Sequence, residues 1–364
     1  MWLSKLFAAN RLATVATSLS ERERQVLEAV IETYVQTAEP AGSRTIAKRF
    51  GMAVSAATIR NTMSDLEEKG YLYHPHTSAG RIPTDLAYRV YVDSLMRLQD
   101  VSASDSHQIR EELGGGGEHN AVDQILARAA QVLGVLTKEL GVAAGPSLDE
   151  AVLERLELLR VTSERLLLVL ALKHGAVRSI FVEVPARMVA EAVAEVAVVL
   201  NGRLAGLTLR EIRATLPQRV RDAVSGPDSS ELINIFIQEA DELFDVPTGA
   251  SAGDASGVLL SSAQLLAEQP EFQTKQQLQG LMQVTERRDV LREALVRRLG
   301  GGLTITIGSE HQDPKLAPFT LVTSSYRAGP LAGVIGVMGP TRMPYDKIVA
   351  LVDHTSRLVG ELLQ

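Results

Sequence analysis

VSAATIRNTMSDLEEKGYL, Val54 to Leu72, decides the fold. Ser55 stands at an N-cap position, where its hydroxyl can accept from a free N–H of the first helical turn. Ile59, Met63 and Leu66 recur at helical spacing and form one apolar stripe. The other face carries Thr58 and Asn61, with Arg60 at its edge. Lys69 suits the negative helix end, and Gly70 can supply the left-handed stop. From Pro40 to Ser64 the chain carries Arg44, Lys48, Arg49 and Arg60 and no acid. A short capped helix with a small, polar and basic N-terminal face has the shape a DNA major groove accepts.

Upstream, Ser20 and Glu23 have the spacing of a capping box. Val26, Leu27, Val30, Ile31, Tyr34 and Val35 continue as the buried face of a helix over about 20–37. Glu39-Pro40-Ala41-Gly42 interrupts it. Ser43 is expected to cap a short second helix with Ile46 and Phe50 inward and Gly51 as its stop, and Met52-Ala53-Val54 is the tight turn. Downstream, Tyr71–Tyr73 alternates as a strand and Arg81–Pro83 could be its partner, with HPHTSAG (His74–Gly80) as the tip. No acid occurs from Gly70 to Thr84. Three helices and a trailing hairpin predict a winged helix-turn-helix. Thr84 would cap a fourth helix with Ala87, Tyr91, Leu95 and Leu98 on one face.

Residues 100–120, with the tetrad Gly114–Gly117, read as a linker. A helix is expected from Ala121 to Leu140. Strands follow at Leu153–Val161, Leu166–Leu172 and Ser179–Val184, the last two joined by a His174-Gly175 turn, and Arg187–Leu200 is helical. Helices surround a Gly/Ser/Ala loop at Thr248–Gly257, and a long helix runs from Phe272 to Leu299. Strands at Leu303–Ile307, Phe319–Thr323 and Leu331–Met338 precede a closing amphipathic helix, Pro344–Leu363. Strands on both sides of a helical segment predict an α+β domain with an insertion. The division expected is a leader at 1–19, the winged-helix domain at 20–100, a linker at 101–120, an α/β domain at 121–204 and 277–364, and an insertion at 205–276.

The 364-residue chain carries a net charge of −7, which by itself argues against nucleic acid. Its distribution points the other way. Residues 1–100 hold 12 Lys+Arg against 11 Asp+Glu, and the remainder 25 against 33, so phosphate would repel the body and leave the N-terminal face for docking. Absence of cysteine excludes disulfides and thiolate zinc sites and is compatible with the cytoplasm. No apolar run reaches the ~20 residues that span a bilayer. No GxSxG, HExxH or nucleophile–base set is present, so neither an enzyme nor a cofactor is expected. His74 and His76 lack a third ligand nearby, and no metal site is expected.

Thr58 and Asn61 are the candidates to reach base edges, Asn61 because its amide can address adenine bidentately. Arg60 suits guanine or phosphate equally. Ser43, Arg44, Lys48 and Arg49 would anchor flanking phosphates, which sets register without reading sequence. Ser55 is a cap that can also touch phosphate. In the hairpin Arg81 is the leading candidate for minor-groove or phosphate contact, with His76, Thr77 and Ser78 beside it. Arg89 could reach phosphate or pair with Asp85.

PHTSAGRIPTDLAYRVYVDSL (Pro75–Leu95) and GVIGVMGPTRMPYDKIVALVDHTSRLVGELL (Gly333–Leu363) resemble the two signature ends of the HrcA family, bacterial heat-inducible repressors of chaperone operons. The resemblance extends to VSAATIRNTMSDLEEKGYL and to PEFQTKQQLQGL (Pro270–Leu281), and departs where Ala87 replaces the family's usual Gly. It implies a winged helix, a GAF-like domain and a mainly helical dimerising domain inserted into it. It implies a homodimer on the double-stranded CIRCE inverted repeat, modulated by the GroE chaperonin (GroEL), with Ile233, Ile235, Phe236 and Leu243 at the dimer contact. The competing expectation is a winged-helix regulator whose GAF-like domain senses a small molecule.

Overall fold

The computed structural model describes residues 19–51, 54–76, 79–114, 122–145, 151–173, 177–186, 188–221, 223, 226–244, 257–328 and 331–363. Helix α1 (Glu21–Thr37) begins with the expected capping box, Ser20 N donating to the Glu23 carboxylate at 2.8 Å. Val26, Leu27, Val30 and Ile31 are wholly buried on its inner face. Helix α2 (Ser43–Phe50) stops at Gly51 (φ +57), but its cap is Gly42 and Ser43 lies inside the first turn with its side chain buried. Helix α3 (Ala56–Glu68) carries the predicted cap and stripe: Ser55 accepts from Thr58 N at 3.1 Å, and Ile59, Met63 and Leu66 are buried.

Gly70 (φ +81) turns the chain into β1 (Leu72–Tyr73), which pairs antiparallel with β2 (Ile82–Pro83). The hairpin returns onto the segment before α2, where Ala41 and Arg81 exchange backbone hydrogen bonds of 2.8 and 2.9 Å. Gly80 permits that approach, since a Cβ there would lie 2.4 Å from the Ala41 carbonyl oxygen. Thr84 caps α4 (Asp85–Val90) as expected, accepting from Ala87 N at 3.3 Å. The helix does not run on to Leu98. A π-helical turn, Tyr91–Leu95, takes over and ends where Met96 N donates to Tyr91 O at 2.7 Å. The wider turn rotates later residues off the stripe, and Leu98 is left exposed.

The expected linker is helical over most of its length. Helix α5 (Ala103–Gly114) buries Ile109 and Leu113 and packs on α6 (Val122–Thr137). A strand unseen in the sequence follows, β3 (Leu140–Ala144), buried on both faces and therefore without the alternation that marks half-buried strands. It joins a sheet in the order β7 (Val258–Leu260), β3, β10 (Leu331–Pro340), β9 (Phe319–Ala328), β8 (Thr304–Ile307). The closing helix α14 (Tyr345–Leu362) packs on α5 and α6. The single helix expected over Phe272–Leu299 is two, numbered α12 (Lys275–Glu286) and α13 (Arg288–Val296), with a break at Arg287 (φ −90, ψ 70).

The chain divides into two compact units, residues 1–143, 259–326 and 334–362 forming the first and 144–258 with 327–333 and 363–364 the second. In the second, β4 (Leu153–Arg160), β5 (Arg165–Leu172) and β6 (Val177–Glu183) form their own antiparallel sheet rather than joining the C-terminal strands. It shares one core with α7 (Ala190–Leu204), α8 (Leu209–Val220), α9 (Pro227–Gln238) and α10 (Ala240–Phe244). The sequence division at 204/205 therefore cuts through this unit. Ile233, Phe236 and Leu243 lie inside this core and Ile235 packs against it. Their stripe faces its own domain because the sheet needs a cover. The His174-Gly175 turn, Met52-Ala53 and nearly all of Thr248–Gly257 lie outside the described residues.

Candidate nucleic-acid interface

Helices α2 and α3 present the polar face that the sequence predicts. The Ser55 cap satisfies one free N–H of α3, and its hydroxyl also lies 3.0 Å from the Thr58 hydroxyl, which fixes both side chains at the start of the helix. Arg60 and Asn61 are exposed one turn on, and no side-chain partner among the described residues takes the guanidinium or the amide. On α2, Arg44 and Lys48 are exposed and meet no carboxylate among the described residues, while the Arg49 guanidinium lies 5.6 Å from the centre of the Phe50 ring. A cleft of about 430 Å³ separates the two helices from the hairpin, with Arg60, Ser64, His74 and Arg81 on its walls.

Arg81 is engaged within the hairpin. It pairs with Glu67 at 2.8 Å, hydrogen bonds to His74, and its side chain is only 13% exposed. The stretch Gly70–Thr84 holds no acid, but α3 returns Glu67 to the base of the hairpin, where it neutralises Arg81 and also meets His74. Ser43 is buried in the first turn of α2. His76 is exposed, and Thr77 and Ser78 lie outside the described residues.

Lys69 and Arg89 serve to hold the region together. Lys69 reaches back to Glu23 at 2.7 Å, joining the end of α3 to the capping box of α1. Burial raises the Glu23 carboxyl, but the bonds from Lys69 and Ser20 outweigh it and leave it below its usual range. Arg89 does not pair with Asp85. It pairs with Asp93 at 3.1 Å and Glu310 at 2.5 Å and donates to Ile305 O at 2.7 Å, while Asp85 accepts from Ser309 N at 2.9 Å. Against the burial that lowers it, Glu310 and Asp93 hold the Arg89 guanidinium in its charged form.

Sequence reasoning missed Arg342, which donates to Val35 O at 2.6 Å and forms a two-pronged pair with Glu271. Helix α1 carries no basic residue in its last turn, so Arg342 supplies the cation its free carbonyls favour. Only the fold brings residues so distant in sequence together. Among the described residues no group of acids and histidines could hold a metal ion, and no helix is long and apolar enough to cross a membrane.

The family profile described as HrcA protein C terminal domain matches residues 123–349. The heat-inducible transcription repressor HrcA of Chlorobium phaeobacteroides (strain BS1) is 38% identical over 346 residues, covering 92% of this chain and 96% of the relative. The protein of that name from Geobacter sulfurreducens is 33% identical over 350 residues, covering 96% and 99%. A crystal structure of a hypothetical protein shares the fold with a TM-score of 0.57 at 22% identity, covering 95% of this chain and 98% of the other. Long, near-complete matches at this identity show that the chain belongs to the family of the heat-inducible transcription repressor HrcA.

Proposed function

We propose that this negative regulator of heat-shock genes acts as a homodimer on a double-stranded inverted repeat, the CIRCE operator, in the cytoplasm. In this reading α1–α3 and the β1–β2 hairpin are a winged helix-turn-helix, the sheet of the first unit is GAF-like, and the second unit is the domain inserted into it. The observation that carries the reading is Arg60 with Asn61. Both are exposed and without side-chain partners among the described residues, on a capped helix beside the acid-free face of α2. Groups so placed are free to exchange water for base edges and phosphates. One such module buries too little to single out a genomic site, and an inverted repeat calls for a two-fold pair.

Gel shifts on the inverted repeat against scrambled DNA test this. Arg60→Ala and Asn61→Ala are each expected to weaken operator binding by about 1–3 kcal/mol and to lessen the preference over scrambled DNA. Arg44→Ala and Lys48→Ala should weaken binding to both DNAs alike and flatten the salt dependence. A protein that stays monomeric and binds both DNAs equally would refute the reading. Regulation by the GroE chaperonin follows if heat depletes the active fold, since a stability of ~5–15 kcal/mol leaves little reserve. Purified chaperonin should then raise operator occupancy under folding conditions, and unchanged occupancy would remove it from the mechanism.

A further inference from the structure

Helix α4 leaves the hairpin and is held at both ends by a single turn of the body, Gly308–Glu310, which directly follows β8. At the start of α4, Asp85 accepts from Ser309 N at 2.9 Å. Near its end, the Arg89 guanidinium donates to both oxygens of Glu310, at 2.7 and 2.5 Å, and to Ile305 O at 2.7 Å. Residues at i and i+4 share one face of a helix and stand about 6 Å apart along its axis. Two attachments so spaced stop α4 from sliding and from rotating. The turn is shaped to receive them. Gly308 (φ +52) lies against Asp85, where a Cβ would stand 2.2 Å from Oδ2. Ile307 N donates to Glu310 at 2.8 Å, which orients the carboxylate for Arg89.

The same series of contacts reaches α3. Tyr71 N donates to Leu66 O at 2.9 Å and closes the end of that helix. The Thr84 hydroxyl donates to Gly70 O at 2.8 Å and accepts from Ala87 N, so one side chain joins the end of α3 to the start of α4. Between the two attachments Tyr88 is 1% exposed, its ring 5.7 Å from that of Tyr345 on the closing helix. All these residues belong to the first compact unit. One base pair added between two half-sites turns one against the other by about 35° and moves it by about 3.4 Å. A reading helix on a loose tether follows that change, and one fastened through α4 does not. Resting on the operator reading above, we propose that Asp85 and Arg89 are positioning residues that fix α3 to the body and thereby set the half-site spacing the repressor accepts.

The test is fluorescence anisotropy of the full chain on the inverted repeat, on repeats with one central base pair added or removed, and on scrambled DNA. The parent is expected to bind the altered spacings about tenfold or more weakly, the loss expected when even one base contact is given up. Arg89→Met and the milder Asp85→Ala, each confirmed as folded by thermal melting, should reduce that discrimination to about threefold or less, a shift that loss of stability alone does not produce. Asp85→Asn keeps an acceptor for Ser309 N and should discriminate as the parent does. A parent that prefers the repeat but binds every spacing alike would overturn this proposal alone, as would folded Asp85→Ala and Arg89→Met proteins that discriminate undiminished. A parent without preference for the repeat over scrambled DNA would overturn the operator reading and this inference with it.

Discussion

Replacing Glu139 by Gln is expected to stabilise the protein at neutral pH and to remove a pH dependence that the parent carries. Glu139 opens the approach to β3 and is 2% exposed. Burial pushes its carboxyl up to about 8, against the Gln269 amide that donates to it at 2.9 Å and the nearby Arg342, while Glu271 adds to the rise. Gly339 makes the space it occupies, since a Cβ there would lie 2.2 Å from Oε2. In the unfolded chain the same group titrates near its ordinary value of 4.5. Between these values the folded state binds more protons than the unfolded state, so this group makes stability fall as pH rises from about 4.5 to about 8. At pH 7 the difference is on the order of 3 kcal/mol. Glutamine presents the same acceptor to Gln269 and cannot ionise. Urea unfolding across this range should show a declining stability for the parent and a flatter one for Glu139→Gln, the two converging in acid. Parallel curves would show that Glu139 is ionised in the native state.

Arg342→Met is expected to act in the opposite direction. The substitution leaves Glu271 without its two-pronged partner and Val35 O without its donor. Losing one member of a buried ion pair costs about 3–5 kcal/mol, and with Glu271 a quarter exposed, solvent should reduce this to about 2–3 kcal/mol. Thermal melting should show the loss. The double change with Glu271→Gln should recover part of it, because no unpaired carboxylate remains. Since Arg342 holds the end of α1, operator affinity should fall in the single variant as well. A variant as stable as the parent would reduce the clasp to a surface contact.

Both predictions concern residues that no local pattern marks. Ser20 with Glu23, Ser55, Gly51, Gly70 and Thr84 announce their roles within four residues of chain, because caps and left-handed stops depend on neighbouring backbone alone. The same holds for Arg60 and Asn61, whose exposure follows from the helical spacing of Ile59, Met63 and Leu66. The pair of Arg81 with Glu67 was not legible, because the whole hairpin separates the two residues along the chain. Strand β3 left no trace because a strand buried on both faces lacks alternation.

By itself the sequence determined the capped helices, the hairpin, the α+β class and, through long signature stretches, the family, all carried by short-range geometry or unbroken runs of residues. Tertiary structure alone decided which charges remain unpaired. It joined Glu67 to Arg81, Glu271 to Arg342 and Glu310 to Arg89, left Arg298 without a carboxylate among the described residues, and turned Ile233, Phe236 and Leu243 inward. The reason is physical. Ion pairing and burial act through space over a few ångströms, and the distance between two residues along the chain does not specify their distance in the fold.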